Sequence, residues 1–240
     1  MRAMVLAAGR GSRLRPLTDT VPKPMIPVAG RPLLEYVLRL LRRHGFDEVV
    51  INLHHLPEVI TGTFGDGRAL GLSITYSHEP ELLGTAGAVR RVADFFDAPF
   101  LVYYADNLCN VDLGALWRDH LEGAAAATIG VQWMDEPTQR GILGLSPDGR
   151  VTRLVEKPRP EQVFPDYVVN AGVYAVEPTV LSHLGTAPAP DFSYDVFPAL
   201  LAAGMPLRGH RLRGQVLSID TPARYAATCS AVDGGAFTLP

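Results

Sequence analysis

The amino-terminal segment constrains the fold most, because an apolar strand there leads directly into a cationic loop that contains glycine. Residues 4–7 are strand-like, and the next eleven residues, AGRGSRLRPLT, contain two glycines and three arginines before any helix is predicted. Glycine has no Cβ, so backbone N–H groups can approach phosphate oxygens, and nearby arginines can neutralise their charge. Lys23 follows between two prolines, which restrict its backbone. The segment is therefore predicted to bind a polyphosphate.

A dinucleotide-binding turn is the main alternative for this loop. It requires G-x-G-x-x-G running straight into a helix, whereas Leu14 and Pro16 follow Gly11 here. We therefore favour a triphosphate site.

Composition and charge limit the class of protein to which this chain can belong. The chain has 240 residues, is 47% hydrophobic and 20% charged, and is long enough for one large α/β domain. A net charge of −3 argues against nucleic-acid and membrane-surface partners. Two cysteines, Cys109 and Cys229, favour neither a disulfide framework nor a zinc site. We see neither a membrane helix nor a signal peptide and expect a cytoplasmic protein; the sequence allows a homo-oligomer.

Strand and helix patterns alternate in the first half, which predicts a parallel sheet with ligands at the carboxyl ends of its strands. Predicted helices span residues 33–44, 57–64 and 86–96, and predicted strands span 48–53, 72–76 and 100–104. The second half adds strands at 124–131, 141–145, 151–155, 168–176, 207–212 and 216–219, a helix from Tyr194, and a final helix opened by Thr221. Residues 185–190 are predicted to form a surface loop, and the tail after Asp233 is predicted to fray. We predict a single α/β domain, 1–240, in three α/β/α layers with a Rossmann-like, mostly parallel mixed sheet.

Five motifs in order resemble the sugar-1-phosphate nucleotidylyltransferases, also called NDP-sugar pyrophosphorylases. They are L-A-x-G-x-G-x-R-L-x-P-L-T with P-K-P, L-G-T-A-G after Ser77-His78-Glu79, an Asp after each of two apolar strands, E-K-P, and N-x-G-x-Y. The residues of the Ser77-His78-Glu79 and L-G-T-A-G segment are most similar to those of the mannose-1-phosphate guanylyltransferase branch. The resemblance implies the nucleotide-diphospho-sugar transferase fold, with a nucleotide-binding half at about 1–123 and a sugar-phosphate-binding half at about 124–240. It also implies the reaction of an NTP with a sugar 1-phosphate to give an NDP-sugar and pyrophosphate.

The resemblance also implies roles for individual residues. Arg13 and Lys23 would contact the triphosphate as the catalytic cations, and Asp106 and Asp220 would chelate Mg²⁺. The implied nucleotide contacts are Leu6, Ala8, Gly9, Gly11, Ser12, Glu79, Gly84 and Thr85. The implied sugar-phosphate contacts are Asn107, Gly141, Glu156, Lys157, Asn170 and, more weakly, Asp195. The family usually has a glycine before the first aspartate, whereas this chain has Ala105. This difference counts against the close backbone packing that a glycine allows at that position.

Several alternatives stay open. Each aspartate could instead be a helix N-cap, and Glu79 could be a solvated loop residue. If Glu79 faces the base, its carboxylate only accepts hydrogen bonds; guanine offers two adjacent donors and uracil or thymine one, which favours guanine. The resemblance to the mannose-1-phosphate guanylyltransferase branch implies GTP with a mannose- or heptose-type sugar.

The other candidate functions are UTP or dTTP with a glucose or N-acetyl sugar, or a non-catalytic sensor. A glycosyltransferase would need D-x-D, where this chain has Asp106-Asn107-Leu108. His54 and His55 suggest a zinc pair but are better interpreted as polar loop residues.

Overall fold

The computed structural model describes residues 1–135 and 137–240. The chain forms two compact units that are interleaved along the sequence. Unit 1 comprises Met1–Leu82, Tyr103–Leu113 and Arg213–Pro240, and unit 2 comprises Leu83–Val102 and Gly114–Leu212. No helix among the described residues has both the length and the apolar character needed to cross a membrane.

Unit 1 contains alternating strands and helices. Its strands are β1 (Arg2–Leu6), β2 (Pro27–Val28), β3 (Arg31–Pro32), β4 (Glu48–Leu53), β5 (Ser73–His78), β7 (Asn107–Cys109) and β13 (Val216–Ser218), and its helices are α1 (Leu33–Arg43), α2 (Pro57–Phe64) and α6 (Pro222–Asp233). The strand β6 (Phe100–Tyr104) is divided between the two units.

The parallel strands of unit 1 bring several loops to one sheet edge. β4 pairs in parallel with both β1 and β5, and Leu6, Asn52 and Ser77 are consecutive register partners near the strand ends. β1 and β4 are mostly apolar in sequence and mostly buried, as expected for covered strands of a parallel sheet, whereas β5 has both buried and exposed residues. The phosphate loop after β1 and the loop after β5 therefore begin at neighbouring positions.

The carboxyl-terminal tail packs against the core of unit 1, so the prediction that it frays is wrong. Phe237 is 2% exposed, and its N–H donates to the Ala231 carbonyl at 2.9 Å. Asn110 Nδ2 donates to the Thr238 carbonyl at 3.1 Å. The aromatic side chain supplies the burial that the short, glycine-containing tail sequence did not suggest. Its cluster comprises Leu14, Ile26, Val28, Leu33, Tyr36, Leu108, Ile219 and Phe237.

Unit 2 contains the antiparallel part of the fold. Its strands are β8 (Ala127–Gln132), β9 (Ile142–Leu145), β10 (Val151–Val155), β11 (Tyr167–Val176) and β12 (Leu207–Arg211), and its helices are α3 (Gly84–Arg91), α4 (Leu113–Gly123) and α5 (Phe197–Ala202). β11 pairs antiparallel with β8 and β9, β10 pairs antiparallel with β9, and β12 pairs in parallel with β8.

The predicted α/β class and mixed sheet are confirmed, but two sequence-based details need correction. α4 was not predicted, because its glycines Gly114 and Gly123 weaken helix propensity; burial of Leu113 and Leu116 stabilises it instead. The helix predicted from Tyr194 begins earlier, as a π-helical turn over Phe192–Val196 that continues into α5. Of the surface loop predicted at 185–190, residues 185–189 are exposed, whereas Pro190 is buried and accepts from the Ala86 N–H at 3.0 Å.

The packing of Phe237 predicts a large effect of its removal on stability. Phe237→Ala should lower the free energy of unfolding by about 3–5 kcal/mol, because it leaves a cavity among buried side chains. Urea unfolding followed by circular dichroism measures this change. Leu121→Ala, at a side chain that is 56% exposed, is the control and should change stability by no more than about 0.5 kcal/mol. Equal effects of the two substitutions would contradict the assigned packing.

Candidate active site

The phosphate loop of unit 1 is compact and requires glycine at one position. Gly11 has a φ of +63°, and a Cβ there would lie 2.8 Å from Thr18 Cγ2 and 3.0 Å from Lys23 Cβ. Thr18 Oγ1 also donates to the Gly11 carbonyl at 2.9 Å. Short 3₁₀ turns at Ser12–Leu14, Leu17–Asp19 and Lys23–Met25 follow, and the first α-helix begins only at Leu33. The dinucleotide-binding alternative is therefore wrong.

The predicted nucleotide contacts in this loop differ in exposure. Ala8 is buried at the base of the loop and Leu6 is half-buried, whereas Gly9 and Ser12 are exposed. A Cβ at Gly9 would meet no atom within 4 Å. The loop thus presents open backbone at Gly9, where a phosphate oxygen could approach without displacing protein atoms.

Lys23 and Asp106 form an ion pair at the base of the loop. Lys23 Nζ lies 2.7 Å from Asp106 Oδ2, and the lysine side chain is only 10% exposed. The prolines on either side of Lys23 are buried as well, so the backbone that carries the ammonium group is held in place. A predicted phosphate-binding cation and a predicted metal ligand therefore meet in unit 1.

Asp220 is held by two arginines. Arg224 Nη1 donates to Asp220 Oδ1 and Oδ2 at 3.0 and 3.2 Å, and Arg13 Nη2 lies 3.3 Å from Oδ2. Burial alone would raise the pKa of Asp220, but the hydrogen bonds and charge of Arg224, with Ser218 and Arg13, outweigh burial and lower it. The carboxylate form is therefore stabilised.

Pairing of β7 with β13 brings the two aspartates to neighbouring positions. Asn107 and Ser218 are register partners, and the Ile219 N–H donates to the Asp106 carbonyl at 3.3 Å. Neither aspartate caps a helix: a strand follows Asp106, and the N-cap of α6 is Thr221, whose side chain accepts from the Arg224 N–H.

This pair of carboxylates fits a divalent ion that takes its other ligands from substrate. Mg²⁺ is usually held by one or two carboxylates together with phosphates and water. Among residues 1–135 and 137–240, no group of three or more His, Cys, Asp or Glu side chains could hold a metal by itself.

Asn107, a predicted sugar-phosphate contact, is 4% exposed, and its carbonyl accepts from Tyr103 OH at 3.0 Å.

Glu79 lies in unit 1 and is 3% exposed, so the solvated-loop alternative for it is wrong. Its Oε1 accepts from Asn52 Nδ2 at 2.9 Å, and Asn52 Oδ1 accepts from the Ala7 N–H at 2.7 Å. Glu79 is therefore connected through one amide to the end of β1.

Gly84 and Thr85 lie in unit 2, at the first turn of α3. Gly84 has a φ of +72°, and a Cβ there would lie 2.5 Å from the Pro190 carbonyl oxygen. Thr85 Oγ1 donates to Asp191 Oδ2 and accepts from the Phe192 N–H, both at 2.9 Å. In this structure both residues hold the 190–192 segment.

The predicted sugar-phosphate residues of unit 2 lie together. The Asn170 N–H donates to the Gly141 carbonyl at 2.8 Å, and a Cβ on Gly141 would collide with Glu156 Oε2. The Asn170 side chain donates to Ser193 Oγ and Tyr174 OH at 3.0 and 2.8 Å. Asn170 thus shapes the site through protein contacts as well as being a candidate ligand.

Lys157 adopts a strained backbone conformation beside this cluster. Its φ is +43°, which is rare for a residue with a side chain and is common at functional sites. Its Nζ lies 5.9 Å from the centre of the Tyr194 ring, which is 54% exposed. Asp195 Oδ2 accepts from the Asp191 N–H at 2.7 Å, so it supports the loop that carries Tyr194.

In each unit, residues that support the candidate side chains were not predicted. Asp191 caps the π-helical turn by accepting from the N–H groups of Ser193 and Tyr194, and Arg224 holds Asp220. Asp followed by a short polar turn is a capping signal that could have identified Asp191. Asn52 could have been noticed as a polar residue near the end of an otherwise apolar strand.

Comparison with known proteins identifies the family. The nucleotidyl transferase profile matches residues 2–215. The chain belongs to this family. A UTP–glucose-1-phosphate uridylyltransferase from Synechocystis sp. is 36% identical over 220 residues, which cover 86% of this chain and 56% of that protein. A mannose-1-phosphate guanylyltransferase from Mycobacterium tuberculosis is 36% identical over 203 residues, covering 84% and 56%.

The chain thus spans a little over half the length of these two nucleotidyl transferases. A structure of UDP-glucose pyrophosphorylase complexed with UDP-glucose superposes with a TM-score of 0.83 at 18% identity, covering 98% of each chain. This likeness confirms the predicted nucleotide-diphospho-sugar transferase fold. Enzymes of this family generally use divalent metal ions.

The surroundings of Glu156 predict opposite effects of two substitutions. Burial raises the pKa of Glu156, and the negative charge of Asp191 raises it further, whereas Lys157, Ser193 and Arg140 lower it. Asp191→Asn should therefore lower this pKa, and Arg140→Gln should raise it. Titration of the Glu156 carboxyl carbon by NMR measures both. Shifts of the same sign in the two variants would contradict the assigned charges.

Proposed function

We propose that this nucleotidyl transferase transfers a nucleotidyl group from an NTP to a sugar 1-phosphate, giving an NDP-sugar and pyrophosphate. The proposal depends mainly on unit 1, where two cations suited to phosphate, Lys23 and Arg13, lie against two carboxylates suited to a divalent ion, Asp106 and Asp220. The family membership and its two relatives that act on sugar 1-phosphates support the same reaction.

The ion pairs can exchange partners when substrate binds. An NTP with its divalent ion brings negative phosphates for the cations and a positive ion for the carboxylates. Each side chain then keeps an opposite charge beside it, which avoids the several kcal/mol that an unpaired buried charge costs.

No general base is needed for the proposed transfer. A phosphate monoester has a second pKa of about 6 and is mostly a dianion at neutral pH. One of its oxygens attacks the α-phosphorus, the bond from that phosphorus to the β-phosphate oxygen breaks, and pyrophosphate leaves. Lys23 and Arg13 would stabilise the charge on the phosphates, and binding in line would supply the rest of the acceleration.

Asp106 and Asp220 would hold the divalent ion, which we propose to be Mg²⁺. When bound, this ion would neutralise phosphate charge beside the cationic loop. In unit 2, Lys157 would bind the phosphate of the sugar 1-phosphate, and Glu156 would accept hydrogen bonds from sugar hydroxyls.

We propose GTP with a mannose- or heptose-type 1-phosphate as the substrate pair, because the Glu79 carboxylate suits the two donors of guanine and a guanylyltransferase is among the relatives. UTP with glucose 1-phosphate is the second candidate, because the relative from Synechocystis is a uridylyltransferase. Incubation of a panel of NTPs with several sugar 1-phosphates, scored by product mass and pyrophosphate release, tests the reaction and both pairs. If no pair releases pyrophosphate, the protein is instead a binding protein.

Lys23 of unit 1 and Lys157 of unit 2 predict different kinetic defects. Lys23→Ala should lower kcat by about a hundredfold to a thousandfold, because it removes a positive charge near the reacting phosphates. Lys157→Ala should raise the KM for the sugar 1-phosphate about tenfold and leave the KM for the NTP unchanged. Steady-state kinetics with each substrate varied separates these effects. Normal turnover in Lys23→Ala would exclude the role assigned to it.

The two aspartates predict a change in metal dependence. Asp106→Asn and Asp220→Asn should each raise the Mg²⁺ concentration for half-maximal activity at least about tenfold. Asp66→Asn, at an exposed carboxylate of unit 1 that pairs with Arg68, is the control and should leave the titration unchanged. Wild-type Mg²⁺ titrations in both site variants would contradict the proposed chelation.

A further inference from the structure

Residues 52–55, at the end of β4, contact both the phosphate loop and the loop that carries Glu79, and the reaction described above gives them no role. Asn52 is 4% exposed, and His54 and His55 are half-buried. All of these contacts lie within unit 1. Asn52 and His54 therefore connect two segments that the proposed function assigns to different parts of the NTP, and His55 contacts the phosphate loop alone.

The amide of Asn52 has one orientation that satisfies both partners. The Ala7 N–H can only donate, so it faces Oδ1 at 2.7 Å, and the Glu79 carboxylate accepts from Nδ2 at 2.9 Å. Both hydrogen bonds are buried, so loss of either leaves a polar group without water. A carboxylate or an apolar side chain at this position could not make both bonds.

His54 forms a second connection, and its tautomer follows from its partners. Arg10 Nε can only donate, so His54 Nε2 accepts from it at 3.3 Å. The other ring nitrogen, Nδ1, then carries the hydrogen and donates to the Glu79 carbonyl at 2.8 Å. The ring thus places a phosphate-loop arginine relative to the backbone of Glu79.

His55 contacts the phosphate loop from the same segment. Its Nε2 donates to the Thr18 carbonyl at 2.8 Å, and Thr18 Oγ1 donates to the Gly11 carbonyl. The turn around Gly11 is the part of the loop where no Cβ fits. Asn52, His54 and His55 therefore fix the loop at Ala7, at Arg10 and at Thr18.

We propose that residues 52–55 are positioning residues that couple recognition of the base at Glu79 to the geometry of the phosphate loop, with Asn52 as the main determinant of NTP selection. This inference rests on the proposed function. A base that pairs well with Glu79 keeps the carboxylate against Asn52, and Asn52 in turn holds the Ala7 N–H at the entrance of the loop. A mismatched base moves Glu79 and disturbs that loop.

Asn52→Asp separates coupling from simple structural support. The substitution preserves an oxygen for the Ala7 N–H but places a second carboxylate oxygen against Glu79. We expect NTP selectivity, the kcat/KM of the preferred NTP divided by that of each other NTP, to fall about tenfold to a hundredfold. Inhibition by inorganic tripolyphosphate, which has no base, should stay close to wild type, as should the KM for the sugar 1-phosphate.

Two further variants complete the test. Asn52→Leu removes both hydrogen bonds and should weaken tripolyphosphate inhibition as well as selectivity. Ser77→Ala is the matched control: Ser77 is the register partner of Asn52 on β5, and among the described residues its buried Oγ has no hydrogen-bond partner. This control should keep wild-type selectivity and wild-type tripolyphosphate inhibition.

Two results would overturn the inference. One is wild-type NTP selectivity in Asn52→Asp. The other is that Asn52→Asp weakens the binding of every NTP and of tripolyphosphate by the same factor, which indicates a structural role alone. Calorimetric dissociation constants for each NTP give the same comparison without turnover. The two failures can therefore be distinguished. Absence of pyrophosphate release from the wild-type protein would refute the proposed reaction, and the dissociation constants would still decide the role of Asn52.

Discussion

Removing an ammonium group from water costs several kcal/mol unless an opposite charge replaces its hydration, and for Lys23 that charge is the Asp106 carboxylate at 2.7 Å. The rest of the candidate site of unit 1 depends on this pairing. The buried prolines beside Lys23 place the ammonium group, and the loop after β6 places the carboxylate. Asp220 is neutralised in the same way by Arg224 and Arg13. Charge balance among these side chains thus arranges the groups that the proposed reaction requires.

In unit 2, the carboxylates beside the predicted sugar-phosphate residues are held differently. Backbone N–H groups, rather than a cationic side chain, cap Asp191 and Asp195, and Glu156 is buried close enough to Asp191 for its pKa to rise. Lys157 lies beside the exposed ring of Tyr194. Such a surface suits a neutral sugar that carries one phosphate, whereas the densely charged loop of unit 1 suits a triphosphate and a divalent ion.

Most strands could be predicted because glycine and proline separate one apolar run from the next. The bounds of β4, α2, β6 and β10 agree with the prediction, since local pattern and tertiary burial favour the same structure there. The residues in the strongest motifs, such as Gly11 and Lys23, also lie where the sequence placed them, although their roles remain proposals. α4 and the packing of Phe237 were missed, because each is stabilised by burial against segments distant in the sequence.

The sequence by itself determined the α/β class, the family and the residue types available for phosphate, metal and sugar, because these follow from local patterns and from motifs of a few residues. Tertiary structure alone decided which charges meet and which polar groups become connected. Asn52 bonds to Ala7 and Glu79 only because parallel pairing of β1, β4 and β5 sets their register. Asp106 approaches Asp220 only because β7 pairs with β13 across nearly half of the chain. Hydrogen bonds and ion pairs act over a few ångströms, and only the folded backbone brings such distant residues that close.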